Sequence, residues 1–191
     1  MSTVAPLPRM TAPDYLAWES EQLERHEYFR GELSAMAGGT PRHNALSAAV
    51  TIELGIGLRG GPCRVLSADQ RIAARGRDHY VYADATVVYG PLELQAGTTD
   101  VLVNPSVIVE VLSKGTEAYD RGLKWESYRD LPSVTDYVLV SQGAPRIEHF
   151  RREADGEWHY SVQAGGRVLL TGGAVLNVDS VYAGAFELHG E

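Results

Sequence analysis

One cysteine, Cys63, stands in 191 residues. No disulfide can close within the chain, and a reducing cytoplasm is the expected setting. Cys63 itself, at the start of a strand-like run, fits a small buried hydrophobe. No apolar run approaches the roughly 20 residues that a membrane-spanning helix needs. The opening residues, MSTVAPLPRM, lack a basic stretch followed by an apolar one, so no secretory signal is expected. Glycine loops for phosphate are missing too: there is no GxxxxGK(S/T), and Gly38-Gly39 does not complete a GxGxxG. Positive charge is scarce, with 17 Lys and Arg against 25 Asp and Glu, a formal net charge of −8. That excludes broad nonspecific polyanion binding, which clustered Lys and Arg drive. A local basic patch, or metal ions that offset the repulsion, remain compatible with it.

What is present fits one soluble globular domain over residues 11–191, preceded by a loose arm at 1–10. Thr11-Ala-Pro-Asp14 predicts a capped helix start, with a short helix running to about Ser20. The run HEYFRGELSAMAG predicts a hairpin turning at Arg30-Gly31. Apolar periodicity from Asn44 to Leu58, ended by Gly60-Gly61-Pro62, predicts a second helix. Strands are expected over Arg64–Ala73 and Val81–Tyr89, with Asp84 inside the latter, and a loop over 90–104. Tyr137–Ser141, Arg146–Arg152 and Trp158–Val162 follow as strands, the last two joined by an Asp155-Gly156 turn, with short strands near 168–170 and 175–178. This order gives an α/β (α+β) fold: a mixed central sheet flanked by helices, with added β-hairpins at both ends.

The most informative stretch is Pro105–Tyr128, PSVIVEVLSKGTEAYDRGLKWESY. Val107–Leu112 is a buried-strand run broken only by Glu110, and a lone carboxylate there is costly unless paired. Thr116 is placed to cap the helix that continues to Arg129. On it Asp120, Lys124 and Tyr128 fall at i, i+4 and i+8, one stripe. Alternation puts Glu110 on the face of Ile108 and Leu112, and Asp84 on the face of Tyr82 and Thr86. If the two strands are neighbours, both carboxylates point to one spot. Such a pair suits a hard divalent ion, Mg²⁺ or Mn²⁺. Structural acids satisfied by arginine or backbone amides would read the same way from spacing alone.

Three segments, HEYFRGELSAMAGGTPRHN, YADATVVYG and VIVEVLSKGTEAYDRGLKWESYRDLPSVTDYVLVSQ, resemble the Uma-type endonuclease family of the restriction-endonuclease-like PD-(D/E)XK superfamily. The resemblance spans about Thr11 to Val181 and is most specific in EVLS followed by TxxYDxxxKxxxY. It implies a core of helix, three strands, helix and strand, carrying a metal-dependent nuclease site that acts on DNA. Asp84 corresponds to the superfamily's first acid and Glu110 to its second, and together they would hold the metal with a backbone carbonyl near Val111. Ala83 replaces the usual proline before the first acid. Leu112 occupies the usual lysine position, and Lys124 matches a lysine migrated onto the following helix. Ser113-Lys-Gly-Thr116 replaces the family's Ser-Pro-Ser-Thr, and Lys114 there is a phosphate contact or a solvated turn residue.

By this resemblance Lys124 orients the attacking water or stabilises developing charge; as a partly exposed partner of Asp120 it would matter little to folding. Glu27 matches the family's hairpin glutamate, an additional site acid, against the alternative of a cross-strand pair with Arg25 or Arg30. His43 meets a phosphate or moves a proton, unless it merely bonds at the helix start. Gln70 is within possible reach of the site. The other histidines have no metal-ligand spacing. A catalytically silent nucleic-acid- or protein-binding module on the same fold is the competing reading, favoured by the acidic charge. Because cutting both strands of a duplex takes two sites, a homodimer is expected, formed through the terminal hairpins.

Overall fold

The computed structural model describes residues 9–36 and 38–190; residues 1–8 of the expected arm lie outside them. Arg9 and Met10 are tied to the first hairpin: Arg9 pairs with Glu32, and the Met10 N–H donates to Gly31 O at 3.2 Å. Helix α1, Ala12–Glu19, begins at Thr11, whose side chain accepts from the Asp14 N–H. Strands β1, His26–Phe29, and β2, Glu32–Ala35, form the expected hairpin. Its turn holds Arg30 at φ 47° and Gly31 at φ 93°, the left-handed pair that matches strand twist in a tight hairpin. Helix α2 runs Pro41–Gly57, starting earlier than periodicity predicts because Thr40 caps it and Pro41 takes a first-turn position.

Two expected strands prove to be four. Arg64–Ala73 divides into β3, Cys63–Ser67, and β4, Arg71–Ala74. Val81–Tyr89 divides into β5, His79–Tyr82, and β6, Ala85–Tyr89. β3 pairs with β6 and β4 with β5, both antiparallel, but the two pairs belong to different sheets. The chain therefore leaves one sheet after Ser67 and returns at Ala83-Asp84. Within the expected loop lies a short β7, Val101–Leu102, parallel to β4. Strand β8, Val107–Val111, pairs antiparallel with β6 and parallel with β9, Asp136–Val140. The β8–β9 crossover carries helix α3, Glu117–Tyr119, a π turn over Asp120–Lys124, and α4, Trp125–Arg129. A hairpin of β10, Ile147–Arg152, and β11, Trp158–Gln163, extends the sheet. The C-terminal part adds β12, Arg167–Leu169, β13, Val175–Asn177, and the short α5, Val178–Val181.

The six-stranded sheet has the order β11-β10-β9-β8-β6-β3, and the five-stranded sheet β2-β1-β5-β4-β7. Odd residues of β8 (Val107, Val109, Val111) face α2, β13 and α5 in one core; even residues (Ile108, and Leu112 just beyond) face Tyr128, Tyr137 and the second sheet in another. Glu110 shares the parity of Ile108, so it points between the two sheets. The expected core of helix, three strands, helix and strand is present as α2, β3, β6, β8, the α3–α4 crossover and β9.

The crossover is one continuous helical path with an inserted residue's worth of slack, and its π turn is fastened to the sheet. The Tyr137 hydroxyl on β9 donates to the Asp120 carbonyl at 2.8 Å, while its ring stacks on Trp125 with centroids 5.3 Å apart. Tyr137→Phe keeps the stack and loses the bond. It should lower unfolding free energy by about 1–2 kcal/mol in a urea titration; an unchanged midpoint would mean the π turn does not depend on this bond.

Candidate functional site

Between the sheets lies a cavity of about 480 Å³, lined by residues including Glu27, His43, Tyr82, Asp84, Glu110, Tyr119, Asp120 and Lys124. Five separate parts of the chain supply them: β1, the start of α2, the β5–β6 break, β8 and the crossover. At its centre is the Lys124 ammonium. It donates to Tyr82 O at 2.9 Å and lies 3.1 Å from Glu27 Oε1, 3.2 Å from Glu110 Oε1 and 3.6 Å from Asp120 Oδ1. The Tyr119 ring lies beneath it, 5.5 Å to the centroid. Burial alone would strip the proton from such a lysine, but Glu110, Glu27 and Asp120 outweigh it and hold the ammonium's pKa well above its ordinary value.

The pKa values of two of the acids are raised as well, which for a carboxyl group favours the neutral form. Burial drives Glu110 well above the usual carboxylate range, and Asp120, Asp84 and Glu27 push it further, against the pull of Lys124. Asp120 is raised as well, by burial first. Tyr128 donates to Glu110 Oε1 at 3.4 Å, and the Tyr82 N–H to Glu27 Oε1 at 3.2 Å. Asp84 is held differently: its Oδ2 accepts the Val111 N–H at 2.7 Å and sits 3.5 Å from His43 Nε2. Burial works against a charged His43, yet the hydrogen bond and charge of Asp84, with a Val111 backbone contact, raise its pKa above the ordinary value. A Cβ at Gly39 would stand 2.7 Å from His43 Nδ1, so only glycine fits beside this ring.

All five residues singled out from the sequence thus line one cavity. Glu27 takes neither cross-strand alternative, since Arg25 pairs with Asp69 and the Glu27 carboxylate reaches Lys124. Gln70 turns away, donating to the Arg71 and Asp100 carbonyls. Thr116 makes no side-chain cap; Ser113 Oγ accepts its N–H at 3.2 Å. Sequence reasoning passed over Tyr82, whose main chain holds both Glu27 and Lys124, and His79. The His79 ring, fully buried, contacts Tyr119 OH at 2.7 Å and Ser127 Oγ at 2.8 Å, and burial with Lys124 and Arg75 nearby depresses its pKa to about 3. Their only sequence signals are weak: Tyr82 precedes Asp84 by two residues, and His79 opens the same strand.

The expectation that Lys124 is partly exposed fails, because it retains only 6% exposure and its partners Glu27, Glu110 and Asp120 retain 8, 3 and 2%. Removing it leaves three buried carboxyl groups facing one another. Lys124→Ala should therefore cost about 3–5 kcal/mol near neutral pH, read by denaturant titration, with the deficit shrinking in acid as the carboxyl groups take up protons. A loss under about 1 kcal/mol would return Lys124 to a surface role.

Comparisons with known proteins bear on the fold and the family. Two uncharacterized proteins of Synechocystis sp. are similar to the chain: one is 36% identical, covering 96% of each sequence, and the other 28% identical, covering 83% of this chain and 89% of its own. In fold the chain matches a crystal structure from Anabaena variabilis described as "a putative nuclease belonging to DUF820". The TM-score is 0.71 at 14% identity, over 92% of this chain and 99% of that one. The family model for Uma2, described as "Putative restriction endonuclease", matches residues 12–187. The chain belongs to the Uma2 family.

Proposed function

We propose that the cavity is the active site of a divalent-metal-dependent endonuclease that hydrolyses DNA phosphodiester bonds. The observation that carries this reading is the buried Lys124 ammonium, pinned by Glu27, Glu110 and the Tyr82 carbonyl in a cavity that Asp84 also lines. The family and the fold neighbour support a nuclease-like activity.

The residues present fit a hard cation. The cavity lining holds four carboxyl groups, Glu27, Asp84, Glu110 and Asp120, against the one ammonium of Lys124, a surplus of negative charge that an oxygen-seeking ion would offset. The contacts that fix the two principal acids run through Oδ2 of Asp84 and Oε1 of Glu110. No group of three or more His, Cys, Asp or Glu converges on a metal position among the described residues; Mg²⁺ or Mn²⁺ bound by two carboxylates keeps most of its waters. When bound, the ion supplies a water of lowered pKa and neutralises charge at the phosphate.

The chain's own groups do the rest. Lys124 presents a permanent positive charge toward charge developing on the phosphate, and it stays protonated across the physiological range because its carboxylates keep it so. Glu27 and the Tyr82 carbonyl fix where that charge sits. Asp84 is oriented by the Val111 N–H, and His43 beside it holds a proton at Nε2 that the carboxylate stabilises. Two such sites acting on one duplex call for a homodimer, which sedimentation velocity at micromolar concentration should reveal as a species of twice the chain mass.

One observation favours a second reading, a module that does not cut: among the described residues no arginine is part of the cavity lining, so the lining lacks a guanidinium to steady a phosphate during transfer. Incubation with plasmid and linear DNA separates the two. The wild type should cleave with Mg²⁺ or Mn²⁺ and stop on chelation, and Asp84→Asn should cut at least about 10²-fold more slowly. DNA that is bound but never cut, under either metal, would establish the second reading.

The His43–Asp84 pair adds a pH signature. The His43 pKa is raised in the folded state, so the stability it contributes is complete below about pH 6.5, the unfolded value, and fades as pH rises through the folded one. In Asp84→Asn the desolvation remains while the carboxylate is gone. The His43 Cε1 resonance should then titrate at lower pH than in the wild type; an unshifted titration would separate the two groups.

A further inference from the structure

Below the cavity, on the side of the five-stranded sheet, is a buried polar network that no motif marks. The Arg71 Nε on β4 donates to the Tyr82 hydroxyl at 2.8 Å, and that hydroxyl donates to Glu19 Oε1 at 3.2 Å. Glu19, at the end of α1, also accepts the His26 N–H at 2.8 Å and contacts His26 Nδ1 at 3.1 Å. Arg71 keeps 7% exposure and Glu19 5%, so neither is a solvated surface charge. The guanidinium also lies over the Tyr82 and Tyr15 rings, 5.8 and 5.5 Å to their centroids, and 3.5 Å from Asp100.

The network closes on itself through the cavity. His26 is bonded in the chain to Glu27; the Glu27 carboxylate accepts the Tyr82 N–H; the Tyr82 hydroxyl returns to Glu19. The ladder between β1 and β5 pairs Phe29 with His79 and Tyr28 with Tyr80. One step further, the Glu27 side chain takes the place of a backbone acceptor between the strands. Tyr82 is thus held at three points: by its hydroxyl, by its N–H on Glu27, and by its carbonyl under Lys124. It is also the last residue before the chain changes sheets at Ala83-Asp84, so its placement sets where Asp84 begins.

We propose that Glu19 and Arg71 are positioning residues that act through Tyr82 to fix Glu27 and the Lys124 ammonium in the cavity. The arrangement holds whether or not the cavity cuts DNA, although the consequence for rate rests on the function proposed above. Buried charged pairs of this kind are costly to desolvate. A network retained for packing alone would gain from replacement by apolar groups, whereas this one fastens atoms that the site uses. Partners that orient a site's contacting groups commonly account for 10–100-fold in metal affinity or activity.

Tyr82→Phe is the cleanest probe, because it removes the hydroxyl and keeps the ring, the N–H and the carbonyl. Glu19→Gln is the second, since the amide oxygen can still accept from His26 while the charge is lost. A buried ammonium with fixed acceptors gives a slowly exchanging Nζ–H₃⁺ signal in ¹H–¹⁵N spectra, assigned here by its absence in Lys124→Arg. In both variants that signal should broaden or shift while the main-chain spectrum stays folded, and any Mn²⁺-dependent cleavage should fall about 10–100-fold through kcat rather than KM. A lowered melting temperature with the Lys124 signal unmoved would make the network merely structural and overturn the proposal. If the wild type cleaves no DNA, the function fails, but the spectral comparison still decides the positioning role.

Discussion

A single desolvated ammonium organises this molecule. Lys124 stands within 3.6 Å of three carboxylates and one carbonyl drawn from β1, β5, β8 and its own helix. None of those acids would tolerate its burial without the lysine, and the lysine would not stay charged without them. The cluster lies between the two sheets, beside the apolar core of Ile72, Val81, Ile108 and Tyr128 that packs them together. Its cost explains why so much else is arranged around it: the Tyr137 bond to the π turn, and the bidentate Arg121–Glu148 pair at 2.7 and 2.8 Å that anchors the outer side of the same turn to β10.

The site's chemistry follows from imbalance rather than from a preformed cage. Four carboxyl groups against one ammonium leave the cavity short of positive charge. Burial first, and the neighbouring carboxyl groups after it, raise Glu110 and Asp120 against the pull of Lys124. The net charge of −8 gives the protein an overall field that repels polyanions, so any attraction for phosphate under the function proposed above would have to be local. His79 is kept neutral by burial first and by Lys124 and Arg75 after it, and it bridges Tyr119 and Ser127 by hydrogen bonds.

Much of this was legible in the amino-acid order, and the failures have identifiable causes. Glu110 announced itself because a charge inside a six-residue apolar run has few explanations, and its face followed from the twofold period of a strand. The hairpin at Arg30-Gly31 followed from turn chemistry. The sheet change at Ala83-Asp84 was invisible, since VYADATVV keeps a strand-like pattern straight through the break; only the tertiary pairing of β5 with β4 and of β6 with β3 reveals it. The π turn was hidden for a related reason. Asp120 and Lys124 neighbour each other in either helical form, so the stripe survives while the geometry around it changes. Lys124's depth was misjudged because i, i+4 pairing is a surface habit, and burial depends on the five-stranded sheet, whose strands are scattered from residue 26 to residue 102. The Glu19–Tyr82–Arg71 network had no signal, as single polar residues in short elements are ordinary.

The position of Lys124 in the chain has a consequence for how the molecule comes into being. Glu27, Asp84, Glu110 and Asp120 are all synthesised before it, as is every strand of the five-stranded sheet, whereas β9, β10 and β11 of the six-stranded sheet follow it. A growing chain ending short of residue 124 holds the acids without their counter-charge. Closure of that region then requires protonated carboxyl groups or solvent between the sheets. Lys124 is the last of the clustered groups to be made, so the buried ion cluster can form only once the crossover has been translated.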